Sequence, residues 1–346
     1  MPAAAPVLAL TLCLAFAASC SSRVERGTLP GELSDEAFWR LSTSLSEPPG
    51  VFRHSDNLVS NELLFVHAVQ RLRPRGGVYI GVGPEQNFSY IARIQPAMAF
   101  IIDIRQENRN LHLVYKALFE SSRDRAEFVS RLFSREPAGP DAASSVQDLF
   151  AALAVAPPSS SLLTATTQLV RDRLLGTHKL PLSAEDLASI DYVLNAFFTH
   201  GPAIDYGSTR PQSDPHPSYQ TLMSARDLGG QSRSFLASEA AFSYVKQMQE
   251  KNLIVPVVGD FGGAGVIDRI GAYVGEHRAT ISAFYSSNVE VYLSNQQMNA
   301  YCRSLAHLPI DERTTFISSK WLRPFAIKVK GCSPRTTLTW DPEHKY

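Results

Sequence analysis

The run VYIGVGPEQNFSYIARIQPAMAFIIDIR, residues 78–105, decides how the rest of the chain is read. Val78–Val82 and Met98–Ile104 are short apolar segments of the kind buried on both faces of a parallel sheet. Pro84–Ile94 between them has the spacing of an amphipathic helix. Strand, helix and strand make one βαβ unit. Gly81 and Gly83 fall at the carboxyl end of the first strand, where such a unit folds its ligand loop. Asp103 closes the second strand about 20 residues on, the spacing at which an acid meets a ribose. The stretch predicts a fold for a nucleotide-type ligand. It does not name a reaction.

Upstream, Ser55-Asp56-Asn57 offers a cap for a helix over 57–72, with Leu58, Phe65, Val69 and Leu72 on one stripe. Ser34 caps a shorter helix over 35–45. Downstream, Leu111, Val114, Leu118 and Phe119 continue a helical pattern that carries His112 and Lys116. Between residues 134 and 161 the composition shifts to Ala, Pro and Ser, an insertion boundary. Two helices follow, over 162–175 and 184–199, the second opened by Ser183 and Asp186 as a near capping box. Residues 200–234 are Gly/Pro-rich and polar but contain Tyr206 and Tyr219, so they read as an ordered covering loop or as disorder. The sheet pattern then returns with a strand over 253–258, ending in Gly259-Asp260-Phe261. A second strand runs over 280–285, and two more close the pattern over 314–319 and 325–330.

With 346 residues and 44% apolar content the chain can bury a large core. Its 33 basic and 33 acidic residues leave no excess that would favour nucleic acid. The first 22 residues carry no charge, and the largely apolar segment 7–18 suits the core of a signal peptide better than a membrane span. The small residues before Cys20 resemble a bacterial lipobox, although Ala17 stands where leucine is usual and a basic leader is missing. The expectation is export with a lipid on Cys20 and membrane attachment; the alternative is an apolar extension on a cytoplasmic protein. Export leaves Cys302 and Cys332 to form one disulfide or to stay as buried thiols.

The alternation of strands and helices, broken by a helical block and closed by a β-pair, resembles the class I S-adenosylmethionine-dependent methyltransferases. More narrowly, GVGPEQNFSYIA with AFIIDIR, HLVYKALFE and DRAEFVSRLFSR resembles an uncharacterised bacterial family of methyltransferase-like proteins. The resemblance covers 57–119 and 235–330. It implies a Rossmann-like, mostly parallel α/β sheet with an antiparallel strand inserted near its end; the edge strand after the second helix is not visible in the sequence. It divides the chain into a signal segment (1–22), an extension (23–56), the α/β domain (57–330, with an insertion at 121–234) and a tail (331–346). It implies S-adenosylmethionine as cofactor, with Gly81, Gly83, Glu85 and Asn87 around its methionine portion and Asp103 on the ribose. Asp260, Tyr285 and Asn288 would face the methyl acceptor as catalytic residues, and 200–234 would act as a lid.

Glu85 stands where a third glycine is expected, and its carboxylate at a helix start disfavours a pyrophosphate but tolerates a cationic ligand. The same residues also read as a well-started helix after a tight turn. No metal is expected: His200, Asp205, Asp214 and His216 match no standard ligand spacing. Export and S-adenosylmethionine conflict, because that cofactor is a cytoplasmic metabolite. The second reading is therefore a membrane-tethered, non-catalytic α/β protein that binds another small ligand or a protein partner.

Overall fold

The computed structural model describes Met1 and residues 28–332, with positions 138, 140, 142, 264, 320 and 321 excepted. The expected signal segment beyond Met1, with Cys20, and all but the first two residues of the expected tail lie outside the described residues.

Six strands form one sheet: β1 (Val78–Val82), β2 (Met98–Asp103), β3 (Ile254–Val258), β4 (Ile281–Tyr285), β5 (Ile310–Ile317) and β6 (Leu322–Pro324). Their order is β3-β2-β1-β4-β5-β6, parallel except for the β5–β6 pair. This is a Rossmann-like α/β sheet. All of β2, β3 and β4 is buried, as strands covered by helices on both faces must be. The chain leaves β1 toward β2 on one side and returns beside β1 as β4, so the strand order reverses between β1 and β4. At such a reversal the loops part, and ligands bind beyond the carboxyl ends of the strands.

The helices are α1 (Asp35–Leu45), α2 (Phe65–Arg71), α3 (Gln86–Ile94), α4 (Gln106–Ser121), α5 (Arg125–Phe133), α6 (Val146–Val155), α7 (Ser160–Arg171), α8 (Ala184–His200), α9 (Tyr219–Ser224), α10 (Glu239–Glu250), α11 (Val266–Glu276), α12 (Asn295–Ala306) and α13 (Phe325–Lys330). Helix α4 is almost wholly buried because α5, α7, α8 and α10 all pack on it. The insertion thus closes over the outer face of the βαβ unit. An aromatic cluster of Phe88, Tyr115, Phe119, Phe128 and Phe235 joins α3, α4 and α5 to the segment before α10, with ring centroids 4.5–6.3 Å apart.

Three expectations change. The helix expected over 57–72 begins only at Phe65, because Asn57 takes a positive φ and the Ser60 amide is used by the Glu85 carboxyl. Among the described residues no further strand follows the second helix of the βαβ unit before the insertion; the edge position beside β2 is taken by β3, the strand expected over 253–258. Residues 325–330 are helix α13, not a strand. Pro324 lacks the N–H that would continue β6, so the antiparallel strand is short; it sits at the sheet edge and is not inserted between parallel strands. Cys302 on α12 and Cys332 after α13 form a disulfide.

Candidate functional site

A cavity of about 410 Å³ opens at the carboxyl ends of β1 to β4. Its floor comes from the turns that follow those strands: Val82–Pro84 after β1, Asp103–Arg105 after β2, Gly259–Phe261 after β3 and Tyr285–Val289 after β4. Residues 51–54, Asn57, Ser60, Asn61 and Tyr206 complete the wall together with Tyr292, Leu293 and Gln297.

The glycine turn is built differently from a ligand loop. Asn87, in the first turn of α3, donates from Nδ2 to the carbonyls of Val82, Gly83 and Pro84 at 2.9, 3.2 and 2.7 Å. Its Oδ1 accepts from the Tyr79 hydroxyl at 2.8 Å. A Cβ on Gly81 would lie 1.9 Å from that Oδ1 and 2.6 Å from the Tyr79 oxygen. Gly81 is therefore glycine because Asn87 and Tyr79 fill the bend. Glu85 is fully buried, accepts from the Ser60 amide at 3.2 Å, and burial raises its carboxyl to about 8. His112, also buried, lies 2.9 Å from the Gly83 carbonyl; the carbonyl can only accept, so Nε2 carries the proton. Burial lowers its pKa to about 4, so the ring is neutral. Of the residues expected around a methionine portion, Gly81, Glu85 and Asn87 thus turn into the protein. Only Gly83 (φ 79°) reaches the cavity, where a Cβ would meet nothing nearer than 3.5 Å.

Asp103 does reach the cavity, but with a partner the sequence reading missed. Arg105 grips it in a fork, Nε to Oδ1 and Nη2 to Oδ2 both at 2.9 Å, and the Arg105 amide adds a bond of 3.0 Å to Oδ1. Burial opposes the Arg105 charge, yet the Asp103 carboxylate outweighs it and its pKa is raised. Arg105 Nη1 also donates to the Asp56 carbonyl, which fixes the wall segment. The Asp-x-Arg spacing was the available signal, since a residue two positions past a strand end returns to the same edge.

Asp260, Tyr285 and Asn288 all line the cavity. Asp260 accepts from the Gly262 amide at 2.8 Å and from Gln297 Nε2 at 3.0 Å. The Tyr285 hydroxyl accepts from Gln86 Nε2 at 3.0 Å, and burial pushes the phenol well above its ordinary pKa. Asn288 is exposed at the rim. A collar of Phe52, His54 and Tyr292, with centroids 5.2–5.3 Å apart, stands at the mouth, and the Arg105 guanidinium lies 6.0 Å from the Phe52 ring. Those three residues sit in irregular segments, so no periodic pattern could have grouped them. Among the described residues, no three His, Cys, Asp or Glu side chains are placed to hold a metal.

Sheet order and cavity define the class: an α/β protein with a ligand-sized cavity at the switch point of a Rossmann-like sheet. A family model described as Domain of unknown function (DUF7790) matches residues 57–147 and 215–331, more than half of the chain. The protein belongs to that family. The unmatched stretch, 148–214, lies within the helical insertion. No curated protein matches the sequence.

Proposed function

We propose that this protein binds a small adenosine-bearing molecule in the cavity at the carboxyl ends of β1 to β4. The observation that carries the reading is the meeting of Gly83, Asp103 and Asp260 in the floor of one cavity. Asp103 Oδ2 has one protein donor, Arg105, so a lone pair is left for a ribose hydroxyl. The aromatic collar supplies faces on which a planar base can stack.

S-adenosylmethionine fits this cavity by half. Its adenosine portion matches the features just named, whereas the cradle expected for its methionine portion is filled by Asn87 and Tyr79. Methyl transfer therefore remains the narrower form of the proposal, and no step is derived through that cofactor. Calorimetric titration of the purified protein with adenosine and with S-adenosylmethionine tests both forms. We expect heat with adenosine, weakened about tenfold or more in Asp103→Ala, the loss of one or two charge-assisted hydrogen bonds. Binding of S-adenosylmethionine tighter than adenosine would favour the transferase. Absence of heat from either ligand with folded protein would remove the adenosine reading.

The second reading, an exported and tethered binding protein, is favoured by the Cys302–Cys332 disulfide, since such bonds persist in oxidising compartments. Mass spectrometry of Cys20 in protein taken from membranes tests it: a diacylglyceryl thioether supports the reading, and an intact, unmodified N-terminus sinks it.

A further inference from the structure

Among the described residues, seven other than glycine hold positive φ. Five of them follow helical segments: Gln95 and Ser134 cap α3 and α5, Asn252 and Arg278 lie just past α10 and α11, and Lys179 follows the π-helical turn Asp172–Thr177. There a left-handed residue closes the last turn. The remaining two, Asn57 (φ 48°) and Ser287 (φ 51°), follow no helix, and both line the cavity. Asn enters this region with local help from its side chain; Ser has less reason to do so. A strained non-glycine residue on a cavity wall calls for a functional account.

Ser287 stands in the tight turn between β4 and the 3₁₀ turn Val289–Val291, at the sheet edge where the other cavity residues gather. Its hydroxyl donates to Glu62 Oε1 and lies 3.3 Å from Asn288 Oδ1. Glu62 is held from its other oxygen by Gln86 Nε2 at 3.2 Å, and Gln86 is itself fixed by the Ser60 hydroxyl and by Tyr90 at 3.0 Å. Hydroxyl, carboxyl and orienting amide thus follow one another as nucleophile, base and orienter must. The groups that face Glu62 are Ser287, Gln86 and the phenols of Tyr285, Tyr79 and Tyr90. Burial among them raises the Glu62 carboxyl above its usual range, toward the basicity that a proton acceptor at neutral pH requires.

We propose that Ser287 is a nucleophile and Glu62 its general base, and that the pair hydrolyses small carboxylic esters held in the cavity. Ser287 Oγ attacks the ester carbonyl carbon while its proton passes to the Glu62 carboxylate. The tetrahedral oxyanion collapses, the C–O bond to the alcohol breaks, and the alcohol leaves with the proton from Glu62. Water then attacks the acyl carbon, giving its proton to Glu62; the acyl C–Oγ bond breaks, Oγ takes that proton back from Glu62, and the acid is released. The sum is ester plus water to acid plus alcohol, with no change of oxidation state. Asn61 and Asn288 also line the cavity, and the proposal assigns their side-chain amide N–H groups to the oxyanion. Esters suit a carboxylate base, because an alcohol leaves more readily than an amine. The inference rests on the cavity being a ligand site, as proposed above, but not on the ligand being an adenosine.

The test treats the full chain with a biotinylated fluorophosphonate and maps the adducts by mass spectrometry. We expect one adduct at Ser287, absent in Ser287→Ala and formed about tenfold or more slowly in Glu62→Gln. The wild-type rate should rise with pH through a midpoint above the ordinary carboxylate range, a rise that Glu62→Gln loses and Glu62→Asp keeps in part. Folded wild-type protein unmodified at Ser287, or a Glu62→Gln variant with the wild-type rate and pH profile, overturns the proposal. If a variant does not fold, the wild-type adduct map and pH profile decide. Labelling without adenosine binding would remove only the adenosine reading; adenosine binding without labelling would remove only the serine chemistry.

Discussion

At residue scale the decisive side chain is Asn87. Nothing in the sequence distinguishes a glycine that admits a ligand from one that admits a neighbouring side chain, because both need the missing Cβ. Gly81 is of the second kind, whereas Gly83 faces the open cavity. Asn87→Ala would remove the side-chain donor shared by the Val82, Gly83 and Pro84 carbonyls and the acceptor of the Tyr79 hydroxyl, leaving the Gly83 carbonyl to His112, and we expect a loss of about 2–4 kcal/mol in denaturant unfolding. Two buried titratable groups beside the loop give opposite pH signatures. Glu85 has a folded pKa of about 8 against 4.5, so its contribution is full below 4.5 and is lost as pH rises through 8. His112 has a folded pKa of about 4 against 6.5, so its contribution is full above 6.5 and is lost as pH falls toward 4. Unfolding measured across this range should show Glu85→Gln losing the alkaline decline while the acid-side decline persists. An unchanged profile in that variant would refute the assignment.

At the scale of elements, β1 and β2 were legible because strands buried on both faces announce themselves as short continuous apolar runs, and α3 because its apolar face is periodic. The capping box of Ser183 and Asp186 was equally plain, since it needs only two residues three apart. The expected helix over 57–64 failed because Asn57, Ser60 and Glu62 are spent on the cavity and on the network beneath it. The expected strand over 325–330 failed because apolar residues in a short run do not separate strand from helix, and Pro324 decided the matter. Helix α13 is stapled to α12 across 30 residues by the disulfide. Cys302→Ser should cost about 2–4 kcal/mol in non-reducing denaturation and nothing under reducing conditions. Equal stability in both conditions would show that the bond does not constrain this end of the fold.

Across the whole molecule, the long polar stretch 200–234 turns out to be ordered, and it works on the cavity from outside. Tyr206 lines the wall; its carbonyl accepts from Ser55 Oγ at 2.6 Å, Arg210 pairs with Asp56 at 2.8 Å, and Gln212 donates to the His54 carbonyl. The sequence could not show this, because every one of these contacts joins residues about 150 positions apart. Arg210→Ala should leave global stability nearly unchanged, since its salt bridge is half exposed, while amide exchange in 51–57 quickens several-fold. Exchange unchanged in that segment would mean that the wall stands without the loop. The central claim, that a small adenosine-bearing ligand sits beyond the strand ends, is tested most directly by hydrogen–deuterium exchange with and without saturating adenosine. The account expects slowed exchange in 51–57, 103–105 and 259–261, with the buried loop amides at 85–87 unchanged. Protection confined to other surfaces, or none at any concentration that the calorimetry shows to bind, would contradict it.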